Sequence, residues 1–197
     1  RHITYAQALL EAQDYCLSAY PETYLMGLGV PDPKGVFGST LGLQDKYGSD
    51  RVFDIPLAEN AMTGIALGSA ISGMRPILTH QRVDFALSSI EQLVNQAAKW
   101  HYMFGGRMSA PMVIRMVIGR GWGQGPQHSQ SLHSWFAHIP GLKVILPTSP
   151  HDAKGMLISA IEDENPVICL EHRWLYGVRD SVPKDDYRVP IGEAKVV

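Results

Sequence analysis

Small and apolar residues recur three or four positions apart at Ala8, Leu9, Ala12, Tyr15, Cys16 and Ala19, the spacing of one buried helix face, until Pro21 ends the run. Thr4 stands where such a helix needs its N-cap. Apolar stretches without that period read as strands at 23–26, 52–54, 76–80, 112–117, 143–146 and 167–171. Helical spacing returns between them, over about 60–72 with Gly73 as the stop, near 88–100, and near 130–138. A further helix opens with Ser149 as cap, Pro150 in the first turn and Asp152 reaching back, and it runs into the acidic stretch at 162–164. Strands that alternate with helices predict an α/β fold, a parallel twisted sheet with helices on both faces. The segment 27–48 is punctuated by glycine and proline and is expected to be a long loop with one helical turn near 41–46. Loops of that length in a compact domain are usually functional or interfacial.

Composition narrows the classes. A chain of 197 residues with 45% hydrophobic and 18% charged content has the size of one domain with one substantial core. Its formal net charge of −2 and scattered Lys and Arg give no basic field, so neither nucleic acid nor an anionic membrane is expected as a partner. Cys16 and Cys169 lack metal-ligand spacing and are too few for a secreted disulfide scaffold, which points to a reducing compartment such as the cytoplasm. No apolar run reaches the length of a membrane span.

Three features bear on chemistry. Glu59 lies where a strand hands over to a helix, at the carboxyl edge of the predicted sheet, where α/β folds bind ligands. By its pattern alone, an acid there is a surface carboxylate favoured by the helix dipole. The loop Gly119-Arg-Gly-Trp-Gly-Gln-Gly-Pro-Gln-His128 has glycines that alternate before a proline, not the G-x-G-x-x-G of a dinucleotide site, and the stretch at 27–32 lacks the third glycine. A nicotinamide-binding domain is therefore not expected. Gly64 and Gly68, flanked by Ala61, Ala66 and Ala70, give the helix at 60–72 a flat face suited to close contact.

Several blocks carry a resemblance: Ile55-Pro-Leu-Ala-Glu59 through Ala70, Gly73-Met-Arg-Pro76, Ile90 through Lys99, Tyr102-Met-Phe-Gly-Gly106, His128-Ser-Gln130, Pro140-Gly-Leu-Lys-Val144 and Asp152-Ala-Lys-Gly155. Together they resemble the beta subunits of thiamine-diphosphate-dependent 2-oxoacid dehydrogenases of pyruvate or branched-chain type, over nearly the whole chain. The resemblance implies a pyrimidine-binding domain at 1–190, with 191–197 opening a linker to a C-terminal domain. It places Glu59 on the cofactor's aminopyrimidine ring and Phe85 in stacking contact with that ring. His128 is placed toward the reaction centre, where an imidazole titrating near working pH can move protons.

The resemblance also implies a potassium site at Met112, Ala160, Ile161, Asp163 and Asn165. The implied partners are an alpha subunit in an alpha2-beta2 heterotetramer and a lipoyl acyltransferase core, in the cytoplasm or, in a eukaryote, the mitochondrial matrix. The sequence contains no Gly-Asp-Gly followed by Asn-Asn, so magnesium and the diphosphate are expected on the alpha subunit. Two departures are plain: 79–83 lacks the family's usual aromatics, and Arg82 stands where relatives are often apolar. Two other readings stay open, a transketolase-like or synthase-type split enzyme with the same cofactor and a non-catalytic assembly module of the same fold.

Overall fold

The computed structural model describes residues 1–193. A short strand β1 (His2–Thr4) leads into α1 (Tyr5–Ala19). Thr4 caps that helix reciprocally with Gln7: its hydroxyl accepts from the Gln7 N–H at 3.1 Å, and Gln7 Oε1 accepts from the Thr4 N–H at 2.9 Å. Then follow β2 (Thr23–Gly27), α2 (Leu43–Tyr47), β3 (Val52–Phe53), α3 (Glu59–Ile71) and β4 (Arg75–His80). The helix expected near 88–100 is longer and irregular: a 3-10 turn Phe85–Ser89, a π-helical stretch Glu91–Ala97, and α4 (Ala98–Met103). Beyond it lie β5 (Val113–Ile118), α5 (His133–Ala137), β6 (Lys143–Ile145), α6 (Pro150–Glu162), β7 (Val167–His172) and β8 (Arg179–Ser181).

Strands β3-β2-β4-β5-β7-β6 form one six-stranded sheet, parallel throughout, and β1 pairs with β8 in a separate two-stranded antiparallel ribbon. The ribbon gave no signal because its strands, His2-Ile3-Thr4 and Arg179-Asp180-Ser181, are short and mostly polar with no apolar run, and α5 is shorter than the expected 130–138. Alternation along β5 sends Val113 and Val117 to a core shared with α1 and α6, while Ile114, Met116 and Ile118 face a second core under α3, the π-helical stretch and α5. Helices on both faces follow from this double-sided burial. Among the described residues no helix is long and apolar enough to cross a membrane. The linker expected at 191–197 falls mostly on residues 194–197, which lie outside the described residues.

One charge sits inside the first core. Arg115 is fully buried, and its guanidinium makes a two-pronged pair with Glu171, Nε to Oε1 at 2.6 Å and Nη2 to Oε2 at 2.9 Å. Gln13 Oε1 and Ser39 Oγ accept its remaining bonds at 2.7 and 2.9 Å, and the Tyr176 hydroxyl donates to Glu171 at 2.5 Å. The network ties β5 and β7 to α1 and to the long loop after β2, so the loops at the carboxyl edge hang from a braced frame.

Candidate functional site

All six strands of the main sheet end on one edge, and the loops that leave it carry the candidate chemistry. The loops are stitched to one another. Asp54 Oδ1, after β3, accepts from the Gly29 and Ile55 N–H groups at 3.1 and 2.9 Å, and Gln81, after β4, donates to the Leu28 carbonyl at 3.1 Å. Glu59 is the first residue of α3, and Ala58 before it provides no side-chain cap. The half-buried Glu59 carboxylate therefore meets the positive end of the helix without a hydrogen-bonding or ion-pair partner among the described residues.

Phe85 and His128 come together although 43 positions separate them in the chain. Phe85 opens the 3-10 turn after β4, His128 closes a 3-10 turn in the glycine loop after β5, and their ring centroids lie 5.3 Å apart at 85°, edge to face. A second link fixes the same pair of loops: Gln130 Nε2 donates to Asp84 Oδ1 at 2.8 Å. The other Asp84 oxygen, Oδ2, is buried with no partner, as is Nε2 of the neighbouring His80. Burial pulls the His80 pKa down to about 4, so this imidazole is neutral across the ordinary range. α3 packs along the segment from Phe85 to Ala97, which sets Glu59 on the same edge as the two rings.

The glycines of the loop after β5 have a packing reason. A Cβ on Gly119 would stand 2.9 Å from the His172 ring, and Gly119 has φ of +107°. A Cβ on Gly121 would stand 3.3 Å from Trp174, at φ of +131°. The loop passes close to His172 at the end of β7 and Trp174 just beyond it, which accounts for Gly119 and Gly121 without any phosphate, while Gly123 and Gly125 meet no neighbour and serve the chain through their positive φ of 66° and 73°.

The five positions expected to hold potassium gather at the end of α6, where protein donors already bond to oxygens of four of them, Met112, Ala160, Ile161 and Asp163. Arg75 Nη1 donates to the Ile161 and Asp163 carbonyls at 3.1 and 3.2 Å. The Ala160 carbonyl accepts from the Asp163 N–H at 3.3 Å and the Met112 carbonyl from the Val167 N–H at 3.0 Å. Asn165 donates its N–H to Asp163 Oδ1 at 2.9 Å, and Lys143 Nζ lies 2.5 Å from Asp163 Oδ2. A potassium ion at these positions would share the Ile161 and Asp163 carbonyls with the Arg75 guanidinium, each through its second lone pair.

Several groups were not singled out by the sequence reading. Asp84 and Gln130 gave no signal, because a polar side chain next to a turn is ordinary. Arg115 and Glu171 did: each is a lone charge in an otherwise apolar strand, and the signs are opposite. The exposed Trp122 and Trp174, stacked at 4.8 Å between centroids, come from two loops 52 residues apart, and nothing local predicts their meeting.

Comparisons with known proteins bear on the family and the fold. The model of the transketolase pyrimidine-binding domain matches residues 1–179. The beta subunit of acetoin:2,6-dichlorophenolindophenol oxidoreductase from Cupriavidus necator is 44% identical over all of this chain and 61% of its own length. The mitochondrial beta subunit of the pyruvate dehydrogenase E1 component from Caenorhabditis elegans is 43% identical over 98% of this chain and 56% of its own. Among solved structures, a split-gene transketolase described as an inactive beta4 tetramer matches 95% of this chain and 56% of its own, with a TM-score of 0.72 at 19% identity, a likeness of fold alone. The chain thus spans about half the length of the curated relatives it matches.

Proposed function

The chain belongs to the transketolase pyrimidine-binding domain family, and from that membership we propose that it is the pyrimidine-holding part of a beta-type subunit of a thiamine-diphosphate-dependent 2-oxoacid dehydrogenase. The whole enzyme would decarboxylate a 2-oxoacid and pass the acyl group to a lipoyl carrier. The observation that carries the reading is the pairing of Phe85 with His128 on the edge where Glu59 waits with an unpartnered carboxylate. An aminopyrimidine is a flat heterocycle with a protonatable ring nitrogen, and it needs a carboxylate for that nitrogen and an aromatic face to lie against. Both are present.

When bound, the cofactor supplies the electron sink for decarboxylation, and the protein supplies binding, orientation and electrostatics. In this proposal Glu59, set at the positive end of α3, shares the proton of the pyrimidine ring nitrogen. Phe85 fixes the plane of the ring. His128, held edge to face against Phe85 and backed by the Gln130–Asp84 bond, moves a proton at its imidazole to or from the substrate side. Magnesium and the diphosphate belong to an alpha subunit. No step depends on potassium.

That alpha subunit needs a docking surface, and α3 offers one. Of the small residues expected to form its flat face, Ala66 and Ala70 are buried in the chain's own core, whereas Ala61 is exposed and a Cβ on Gly68 would meet nothing; Ile65, 57% exposed, and Leu57, 79% exposed just before the helix, extend that open surface. We assign this face to subunit contact in an alpha2-beta2 assembly. The direct test of the function is a turnover panel with the cognate alpha subunit: pyruvate, branched-chain 2-oxoacids and sugar phosphates, each with and without thiamine diphosphate. Cofactor-dependent reduction of a lipoyl acceptor supports the reading, and carbon-fragment transfer between sugar phosphates in its place would favour the transketolase-like alternative.

A further inference from the structure

Two guanidinium groups near the carboxyl edge have no task in the proposed chemistry. Arg82 follows β4, is 4% exposed, and braces the glycine loop by donating from Nη1 to the Gly119 carbonyl at 2.6 Å and from Nη2 to Gln124. Arg173 follows β7, with its guanidinium carbon 4.3 Å from the Phe37 ring centroid, 5.2 Å from Tyr176 and 5.6 Å from Trp122. The Arg82 guanidinium carbon lies 6.0 Å from the same Trp122 ring. Two cations therefore share one indole.

Among the described residues neither Arg82 nor Arg173 pairs with a carboxylate, a state they share with Arg51, Arg107, Arg120 and Arg179; what sets them apart is that both lie against the same indole. Burial holds the Arg82 pKa below its ordinary value; the nearby Asp84 carboxylate works against that shift, and repulsion from Arg173 adds to it. Asp84 is the acid nearby, but it forms no ion pair with either guanidinium; two like charges around one indole are an arrangement that a further oxyanion relieves, and a planar guanidinium fork matches carboxylate or phosphate oxygens. The surrounding backbone is committed to the arrangement, since Phe37 and Trp122 are the non-glycine residues with positive φ, at 51° and 58°. The cluster also adjoins the proposed cofactor site: Arg82 precedes Phe85 by three positions, and Gln124, which it holds, precedes His128 by four.

We infer that Arg82 and Arg173, gathered around Trp122, form an anion subsite for a second acidic group of the substrate, a carboxylate or a phosphate remote from the carboxylate that is lost. The carboxylate that leaves is a poor occupant, because pairing it with two guanidinium groups stabilises the ground state and opposes decarboxylation. The substrate class is then a 2-oxo compound with a terminal anion. A small uncharged side chain would leave both cations unmatched.

This assignment rests on the proposed function, so its test reads binding apart from turnover. The complete subunit, assembled with its alpha partner and thiamine diphosphate, is titrated at constant ionic strength with succinate in one arm and inorganic phosphate in the other, following tryptophan fluorescence. The expected result is a saturable change in at least one arm. Arg173→Leu and Arg82→Gln should each weaken it about tenfold or more, the usual effect of losing a charge-assisted hydrogen bond. Arg107→Gln, an exposed arginine before β5 at the opposite edge of the sheet, should leave it unchanged. Arg82→Gln also loosens the glycine loop, so Arg173→Lys, which keeps the charge and should recover part of the affinity, guards against a merely structural loss.

Saturation by succinate alone assigns a dicarboxylic 2-oxo substrate, and saturation by phosphate alone a phosphorylated one. Absence of a saturable change up to roughly ten times the usual KM ceiling of about 1 mM, or full retention of it in both Arg82→Gln and Arg173→Leu, overturns the subsite. Thiamine-dependent turnover of neutral 2-oxoacids beside a failed titration would leave the proposed function standing without this inference. A successful titration without any thiamine-dependent turnover would keep the anion subsite and remove the proposed function.

Discussion

Glu59 occupies the first turn of α3, where the helix dipole favours its charge and no described side chain competes for its oxygens. Glu59→Gln keeps the shape but cannot share the pyrimidine proton. Turnover of the assembled enzyme should fall about a hundredfold or more, while stability changes by less than about 1 kcal/mol. Steady-state rates and melting curves on the same preparations separate the two, and parent-level turnover would remove Glu59 from the mechanism. Arg115 behaves in the opposite way. Arg115→Met strands the Glu171 carboxylate in the core and should cost about 3–5 kcal/mol, measured as a shift in the urea midpoint, because breaking a buried pair leaves one charge uncompensated. His80 sets a pH dependence. An unfolded histidine titrates near 6.5 and the folded His80 near about 4, so as pH falls through this window the unfolded state binds a proton the folded state refuses. Stability should therefore drop on acidification, by up to about 3 kcal/mol from this group. His80→Leu should flatten the curve between those values, and an unaltered slope would show that His80 is not the source.

At the scale of elements, α1, α3 and α6 were legible from the chain because each has a clean period and a marked end such as Thr4, Gly73 or the Ser149-Pro150 pair, and the six sheet strands because each falls in a short apolar run between turn signals. Legibility failed where the period fails. The stretch from Phe85 to Met103 passes from 3-10 to π to α, so its apolar residues drift around the axis and its start was read late. The candidate site divides the same way. The position of Glu59 at the sheet edge was visible from its junction, but its assigned role, like those of Phe85 and His128, came only through a resemblance, because a helix-start acid, an aromatic beside a strand and a histidine in a loop are all common. Their contact is a fact of β4 lying next to β5. The glycine loop gives a prediction at this scale: Gly119→Ala should displace the His172 ring and free the loop that holds His128, seen as lost protection of its amides from hydrogen exchange. The α3 face gives another. Ile65→Glu should block association with an alpha subunit while leaving the chain's own melting within about 0.5 kcal/mol of the parent, as exposed substitutions do. Sedimentation of the mixture reads the outcome, and an intact assembly would put the contact elsewhere.

For the whole molecule, the account is of half a site. The edge of the sheet offers a carboxylate, a ring and an imidazole, and among the described residues there is no cluster of three metal-binding side chains to hold magnesium. The pyrimidine contacts amount to one hydrogen bond and one stacked ring, whereas metal-bridged diphosphate contacts carry most of the charge, so affinity should reside in the assembly. Calorimetry of thiamine diphosphate with magnesium tests this directly, first on this chain alone and then with the alpha subunit added. The account predicts weak or undetectable heat from the chain alone and tight, magnesium-dependent binding once the alpha subunit is present. Tight, magnesium-dependent binding by the isolated chain would mean that the site is complete within it, and the shared-site account would be wrong.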